Sequence, residues 1–172
     1  MKQIGVFFGS SSGKTADVAA RIHEKIGKER ADLRDIEQAS PADLLDYQLL
    51  IMGIPTWGTG GLQDDWQHFL PVVRDFDLTG KRVALFGLGD QESYPGTFAD
   101  AMGLMYHLLS KTGCGFIGSW PTGGYAYEVS KAVRGGAFVG LVLDEDNQPE
   151  LSDQRIDAWL EEILEGMPAV SG

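Results

Sequence analysis

Three short runs of continuous apolar residues mark the first half of the chain: QIGVFF at 3–8, QLLIMGI at 48–54 and RVALFG at 82–87. Runs of this length without polar alternation predict strands covered on both faces. Each ends in glycine or in a loop rich in glycine and proline. A fourth run, ADLRDI at 31–36, is interrupted by charges and predicts an edge strand. Between and after the runs the apolar positions take helical spacing. Val18, Ile22 and Ile26 form one stripe, Ala101, Met102, Met105, Leu108 and Leu109 a second, and Ile156, Trp159, Leu160, Ile163 and Leu164 a third. SPAD at 40–43 places Ser40 as N-cap, Pro41 at the first helical position and Asp43 three residues on, which predicts a short helix. Strands alternating with helices predict a doubly wound parallel sheet with helices on both faces. Its ligand belongs beyond the carboxyl ends of the strands.

Length and composition narrow the picture. At 172 residues and 43% hydrophobic content, the chain is expected to form a single domain over 1–172. All apolar runs fall short of the roughly 18 residues a membrane span needs. Met1 leads almost directly into a strand-like run, so a soluble, cytoplasmic protein without a targeting peptide is expected. The one cysteine, Cys114, allows no internal disulfide. A net charge of −11 opposes binding to nucleic acid or anionic membranes and favours basic protein surfaces.

The strand-end rule selects three loops. In the first, GSSSGKT at 9–15, only three residues separate Gly9 from Gly13, one fewer than a nucleotide-hydrolase P-loop requires. Ser10, Ser11, Ser12 and Thr15 offer hydroxyls beside the free N–H groups of a helix starting near Gly13, a cradle suited to one terminal phosphate. Taken alone, the same loop also reads as a Ser/Gly turn that caps a helix. In the second, PTWGTGGLQDDW at 55–66, Trp57 offers a flat surface for stacking, or packs on its own domain. Gly58 could turn its peptide either way toward a ligand. In the third, GLGDQESYPGTF at 87–98, Tyr94 is a second ring, and Glu92 takes the place of the third glycine of a dinucleotide fingerprint. Together the loops suggest a phosphate site at one end and a flat ring between Trp57 and Tyr94 at the other. His23, His68 and His107 have no ligand spacing and predict no metal site.

FFGSSSGKT, PTWGTGGLQDDW, LFGLGDQESYPGTF and FVGLVLDEDNQ, in that order, resemble flavodoxin, the FMN-containing electron carrier, over essentially the whole chain. The resemblance is to the long-chain subgroup. It implies a flavodoxin-like α/β fold, a five-stranded parallel sheet of order 2-1-3-4-5 whose fifth strand is split into GFIGSW (115–120) and AFVGLVL (137–143) by an insertion at 121–136. It assigns Ser10, Ser11, Ser12, Gly13, Lys14 and Thr15 to the FMN phosphate, although an amide cradle does not require the charge of Lys14. Thr56 and Trp57 would contact the inner ring face, and Gly58, Thr59, Gly60 and Gly61 would supply backbone contacts near N5 and the ring edge. Leu88, Gly89 and Asp90 would address the pyrimidine edge, Tyr94 would stack on the outer face, and Asp146 would reach the cofactor. The chain departs from the family pattern at Thr97 and Ala99, where amide side chains often occur.

The resemblance implies a non-enzymatic, low-potential one-electron carrier working mainly between the semiquinone and hydroquinone of FMN. Asp64, Asp65, Asp90, Glu92, Asp100 and residues 144–146, in or beside the ring-side loops, are expected to disfavour the second reduction. Implied partners are a ferredoxin (flavodoxin)–NADP reductase as donor and low-potential reductive enzymes or nitrogenase as acceptors, met by a monomer. The alternative is an FMN-dependent NAD(P)H:quinone reductase on the same fold, which needs room for substrate over the flavin.

Overall fold

A computed structural model describes residues 2–9, 13–56, 61–165 and 167. The apolar runs form β1 (Ile4–Phe8), β3 (Leu49–Pro55) and β4 (Arg82–Leu88), and the charged run forms β2 (Ala31–Asp35). These strands lie in the order β2-β1-β3-β4, all parallel, with the charged strand at the edge as expected. The helical stripes become α1 (Lys14–Ile26), α3 (Asp100–Leu109) and α4 (Pro149–Ile163). The stripe of α1 and that of α4 bury against one face of the sheet, where Val18, Ile22, Ile156 and Trp159 meet Val6, Ile51 and Phe86. The opposite face is covered by α3 and by a helix, α2 (Asp64–Val73), within the stretch the sequence presents as loop and short segment. Trp66, Phe69, Leu70 and Val73 of α2 recur at helical spacing and are buried. Pro71 inside α2 removes one backbone donor, which obscures this helix in the sequence. The SPAD segment forms a 3₁₀ helix at Pro41–Asp46, with Ser40 and Asp43 exchanging hydrogen bonds in a capping box.

The fifth strand is split as the resemblance implies, but its halves are shorter. β5 (Gly115–Ile117) pairs with the start of β4, and β9 (Leu141–Leu143) pairs with its end. The rest of the expected halves turns aside: β6 (Trp120–Pro121), β7 (Val133–Arg134) and β8 (Ala137–Phe138) make a small antiparallel sheet of their own, order β6-β8-β7. Gly118 explains the departure at the first half. Its φ of 84° leaves the strand region, and a Cβ there would lie 2.6 Å from Trp159 Nε1. The return at the second half depends on Gly140, where a Cβ would lie 2.1 Å from the Leu85 carbonyl oxygen. The sheet therefore closes its C-terminal edge with β9, beside the carboxyl end of β4. No helix among the described residues is long and apolar enough to cross a membrane.

Candidate functional site

The carboxyl ends of β1, β3, β4 and β9 open into one cleft of about 190 Å³. Its lining comes from four segments: Lys14 and Thr15 at the start of α1; Pro55 and Thr56 at the end of β3; Leu88, Gly89, Asp90 and Tyr94 after β4; Glu145 and Asp146 after β9. Eight candidate residues from the sequence are thus brought together, namely Lys14, Thr15, Thr56, Leu88, Gly89, Asp90, Tyr94 and Asp146. Gly13 and Gly61 are described nearby in sequence but do not line the cleft, and at either an added Cβ would meet nothing within 4 Å. Ser10, Ser11, Ser12, Trp57, Gly58, Thr59 and Gly60 lie outside the described residues.

The fold fixes each segment by its backbone. Gly13, with φ of 88°, is the N-cap of α1, and its carbonyl accepts from Asp17 N at 3.0 Å. A helix start of this kind presents peptide N–H groups and about half a positive charge to its surroundings. Thr15, one residue inside the helix, is 1% exposed, and its Oγ1 has no hydrogen-bond partner among the described residues. Gly9 precedes the cradle at a close approach: a Cβ there would lie 2.6 Å from Gln63 Oε1 and 2.8 Å from Trp66 Nε1. That indole is fixed in turn by donating to the Gly53 carbonyl at 3.0 Å. Thr56 N donates to Leu88 O at 3.1 Å, and Thr56 Oγ1 accepts from Ala101 N at 3.3 Å, which ties the end of β3 to β4 and α3.

Asp90 and Tyr94 belong to one turn, since Tyr94 N donates to Asp90 O at 2.9 Å. Burial pushes the Asp90 carboxyl up, but N–H donation from Ser93, Asn147 and Glu92 outweighs it and holds the group below the usual carboxylate range. Asp90 therefore carries full negative charge at neutral pH. Tyr94 is 47% exposed, on the rim of the cleft. Across the mouth, the Lys14 ammonium pairs with Asp146, placing the cation of α1 against the turn after β9. Arg21 pairs with Glu145, and also with Asp17 at 3.0 Å and Asp153 at 3.3 Å, so Glu145 faces the cleft already partly neutralised.

The carboxylates expected to surround the cleft are thereby sorted. Asp90, Glu145 and Asp146 line it. Asp100 and Asp144 do not act as surface charge, being 3% and 0% exposed. Asp100 accepts from Lys131 N at 2.7 Å, and Asp144 is ringed by N–H groups described below. Asp64 and Asp65 start α2 and do not line the cleft, and a carboxylate oxygen of Asp65 lies within 4.8 Å of those of Asp35 and Glu37. The sequence reading missed Pro55 in the cleft wall and the polar side chains of Gln91 and Asn147 behind it. An amide directly following a site carboxylate, Gln91 after Asp90 and Asn147 after Asp146, was the available signal.

Comparisons with known proteins bear on the fold and the family. Residues 6–159 match the family model described as Flavodoxin. The chain is 44% identical over 166 residues to a flavodoxin of Klebsiella pneumoniae, covering 96% of this chain and 94% of that one. It is 46% identical over 164 residues to a flavodoxin of Synechocystis sp., covering 95% and 96%. A solved Fusobacterium nucleatum flavodoxin bound to flavin mononucleotide superposes with a TM-score of 0.86 at 31% identity, covering 95% and 97%. A variant of that protein, also bound to flavin mononucleotide, gives 0.89 at 32%, covering 95% of each chain. None of these supports a quinone reductase.

Proposed function

The chain belongs to the flavodoxin family, and from that premise we propose that it carries electrons one at a time on a non-covalently bound FMN held in the cleft. The observation that carries the reading is Thr15: a buried hydroxyl without a described partner, at a helix N-terminus that opens on the cleft. A phosphate monoester supplies the acceptor that Thr15 Oγ1 lacks and the anion that the α1 N-terminus favours. The described residues therefore fit the group. Ser10, Ser11, Ser12, Gly13 and Lys14 complete the phosphate end. Thr56, Trp57 and Tyr94 serve the ring faces, Gly58, Thr59, Gly60 and Gly61 the ring edge, and Leu88, Gly89, Asp90 and Asp146 the pyrimidine side. We assign the whole of 1–172 to one such unit.

When bound, FMN accepts and returns electrons in two separate one-electron steps. The protein governs their spacing through charge and water access. Asp90 and Asp146 oppose added negative charge in the cleft, which makes the second electron harder to add and the returned electron more reducing. Lys14 offsets part of that opposition through its pair with Asp146. Tyr94 covers the rim and keeps water from the site, so these charges act at a lower effective dielectric. Stepwise anaerobic reduction of the FMN-loaded protein tests the reading. Two resolved one-electron steps with a long-wavelength band at half reduction support it; a single two-electron step, or no uptake of FMN, overturns it.

The partners are redox proteins. A ferredoxin (flavodoxin)–NADP reductase is proposed as donor, with low-potential reductive enzymes such as nitrogenase as acceptors, in the cytoplasm and with the chain as a monomer. A net charge of −11 steers such encounters toward basic faces. Raising ionic strength from about 0.01 to 0.5 M is expected to slow reduction by a basic partner by roughly tenfold or more, because the Debye length falls from about 30 Å to under 5 Å. Stopped-flow rates across that range check it, and a rate indifferent to salt would rule out electrostatic steering.

A further inference from the structure

Asp144 lies directly after β9 and is 0% exposed. Its carboxylate accepts from Gln91 N at 3.0 Å, Gln91 Nε2 at 2.6 Å, Asp146 N at 3.1 Å, Asn147 N at 3.0 Å and Asn147 Nδ2 at 2.9 Å. Two of these donors extend the network outward. Asn147 Nδ2 also donates to Asp90 Oδ1 at 2.8 Å, and Gln91 Oε1 accepts from Ala126 N, in the insertion, at 2.5 Å. One buried carboxylate thus joins the turn that carries Asp146, the loop that carries Asp90 and Tyr94, and the insertion.

The insertion continues along the same loop. Glu128 N and Val129 N donate to Pro95 O at 2.8 and 3.0 Å, Ser130 Oγ donates to Phe98 O, and Lys131 N donates to Asp100. Within the loop, Tyr94 N to Asp90 O, Ser93 N to Asp90 Oδ1 and Thr97 N to Tyr94 O set the shape of the turn. They do not set where the turn stands relative to the sheet. That placement falls to the contacts leaving the loop, and burial ranks them. Gln91 and Asp144 are 4% and 0% exposed, whereas Glu128 and Val129 are exposed, so water competes for the Pro95 contacts and not for the Gln91–Asp144 end of the clamp.

We propose that Gln91, clamped between Asp144 and Ala126, is a positioning residue: it transmits the hold of the insertion to the Asp90–Tyr94 loop and so sets how firmly that loop closes on the flavin. The proposal rests on the FMN reading of the cleft. Tyr125 anchors the far side of the clamp, donating to Val142 O at 2.5 Å and accepting from Trp120 Nε1 at 2.9 Å. Burial pushes its hydroxyl up to about 12, so it stays protonated and the anchor persists at all working pH. Arg155 lies over the same ring, 4.2 Å from its centroid. The insertion is therefore firm enough to act as the fixed end, and the loop is the part it holds.

Gln91→Leu keeps the volume and deletes both side-chain contacts. Three readouts are compared with wild type: amide exchange of residues 92–98 in the apoprotein, the FMN dissociation constant, and the two one-electron potentials. The expected result is faster exchange across 92–98, at least tenfold weaker FMN binding, and a second-step potential that rises as water enters the cleft. A lowered melting temperature with all three readouts at wild-type values would reduce Gln91 to a packing residue and overturn the proposal. Should Gln91→Leu not fold, Ala126→Pro removes the donor from the insertion side. It is expected to act in the same direction, and unchanged exchange across 92–98 in that variant overturns the proposal equally. Failure of the wild type to take up FMN would sink the cofactor reading instead, and the apoprotein exchange would still decide the brace.

Discussion

Thr15→Val is expected to raise the stability of the apoprotein while weakening FMN binding by about 10- to 100-fold. The two signs have one cause. A hydroxyl buried without a partner loses its hydration and gains nothing, a penalty of about 1–3 kcal/mol, and Thr15 Oγ1 is in that position among the described residues. Valine presents a methyl of the same shape, keeps the β-branch and has nearly the same helix propensity. The apoprotein should gain about 1 kcal/mol, or roughly 2–4 °C in melting temperature for a chain of this size. With phosphate in the cradle the same hydroxyl makes a hydrogen bond to a charged group, of about 1.5–3 kcal/mol, which valine cannot replace. Thr15→Ser separates the two effects, since it keeps the hydroxyl and loses only the methyl. It should hold FMN affinity within about threefold, at a loss of roughly 0.8 kcal/mol in the apoprotein. Calorimetry of the apoproteins and fluorescence titration with FMN measure both quantities. If Thr15→Val lowered stability and affinity together, the hydroxyl would have a structural partner and the cradle would be misread.

The sheet was legible in the sequence because β1, β3 and β4 are buried on both faces and must be apolar throughout, which leaves an uninterrupted run. The stripes of α1, α3 and α4 were legible for the complementary reason, one face in and one out. The helix α2 was hidden by Pro71 and by the acidic pair Asp64 and Asp65, which resemble loop composition and in fact occupy the first helical turn, where negative charge is favourable. The small sheet of the insertion was illegible for a different reason: strands of two residues have no period to detect. In the cleft, residue types were readable and their engagement was not. Sequence supplies the charge of Asp144 and Asp100 but not the number of N–H groups pointing at each, and those N–H groups turn an expected surface carboxylate into a buried fastening. Lys14 shows the converse: placed near the helix start, it reads as dispensable, yet it is the cation that faces Asp146.

That pair allows charge to be varied with little effect on the fold. Lys14 and Asp146 are 49% and 39% exposed in their side chains, and an exposed pair contributes about 0–1 kcal/mol to stability, so melting temperatures should hardly move when either is changed. The flavin potential should move. Two unit charges about 7 Å apart interact by about 2.4 kcal/mol at an effective dielectric of 20 and about 0.6 kcal/mol at 80. By the conversion of about 2.3 kcal/mol per 100 mV, these are roughly 100 and 25 mV. For a half-exposed group the value lies between, so Asp146→Asn is expected to raise the potential of the second one-electron step by about 50 mV. It also frees the Lys14 ammonium for the phosphate end, so FMN should bind a few-fold more tightly. Lys14→Met should do the reverse, leaving Asp146 uncompensated at the mouth of the cleft, with a lower second-step potential and weaker binding. Because the two removed charges are opposite and adjacent, the double variant should return close to wild type in potential, and about 1 M salt, with a Debye length near 3 Å, should shrink both single shifts. Spectroelectrochemistry of the four proteins at low and high salt completes the cycle. Single variants that shift the potential in the same direction would mean that the residues act by shaping the loop and not by charge.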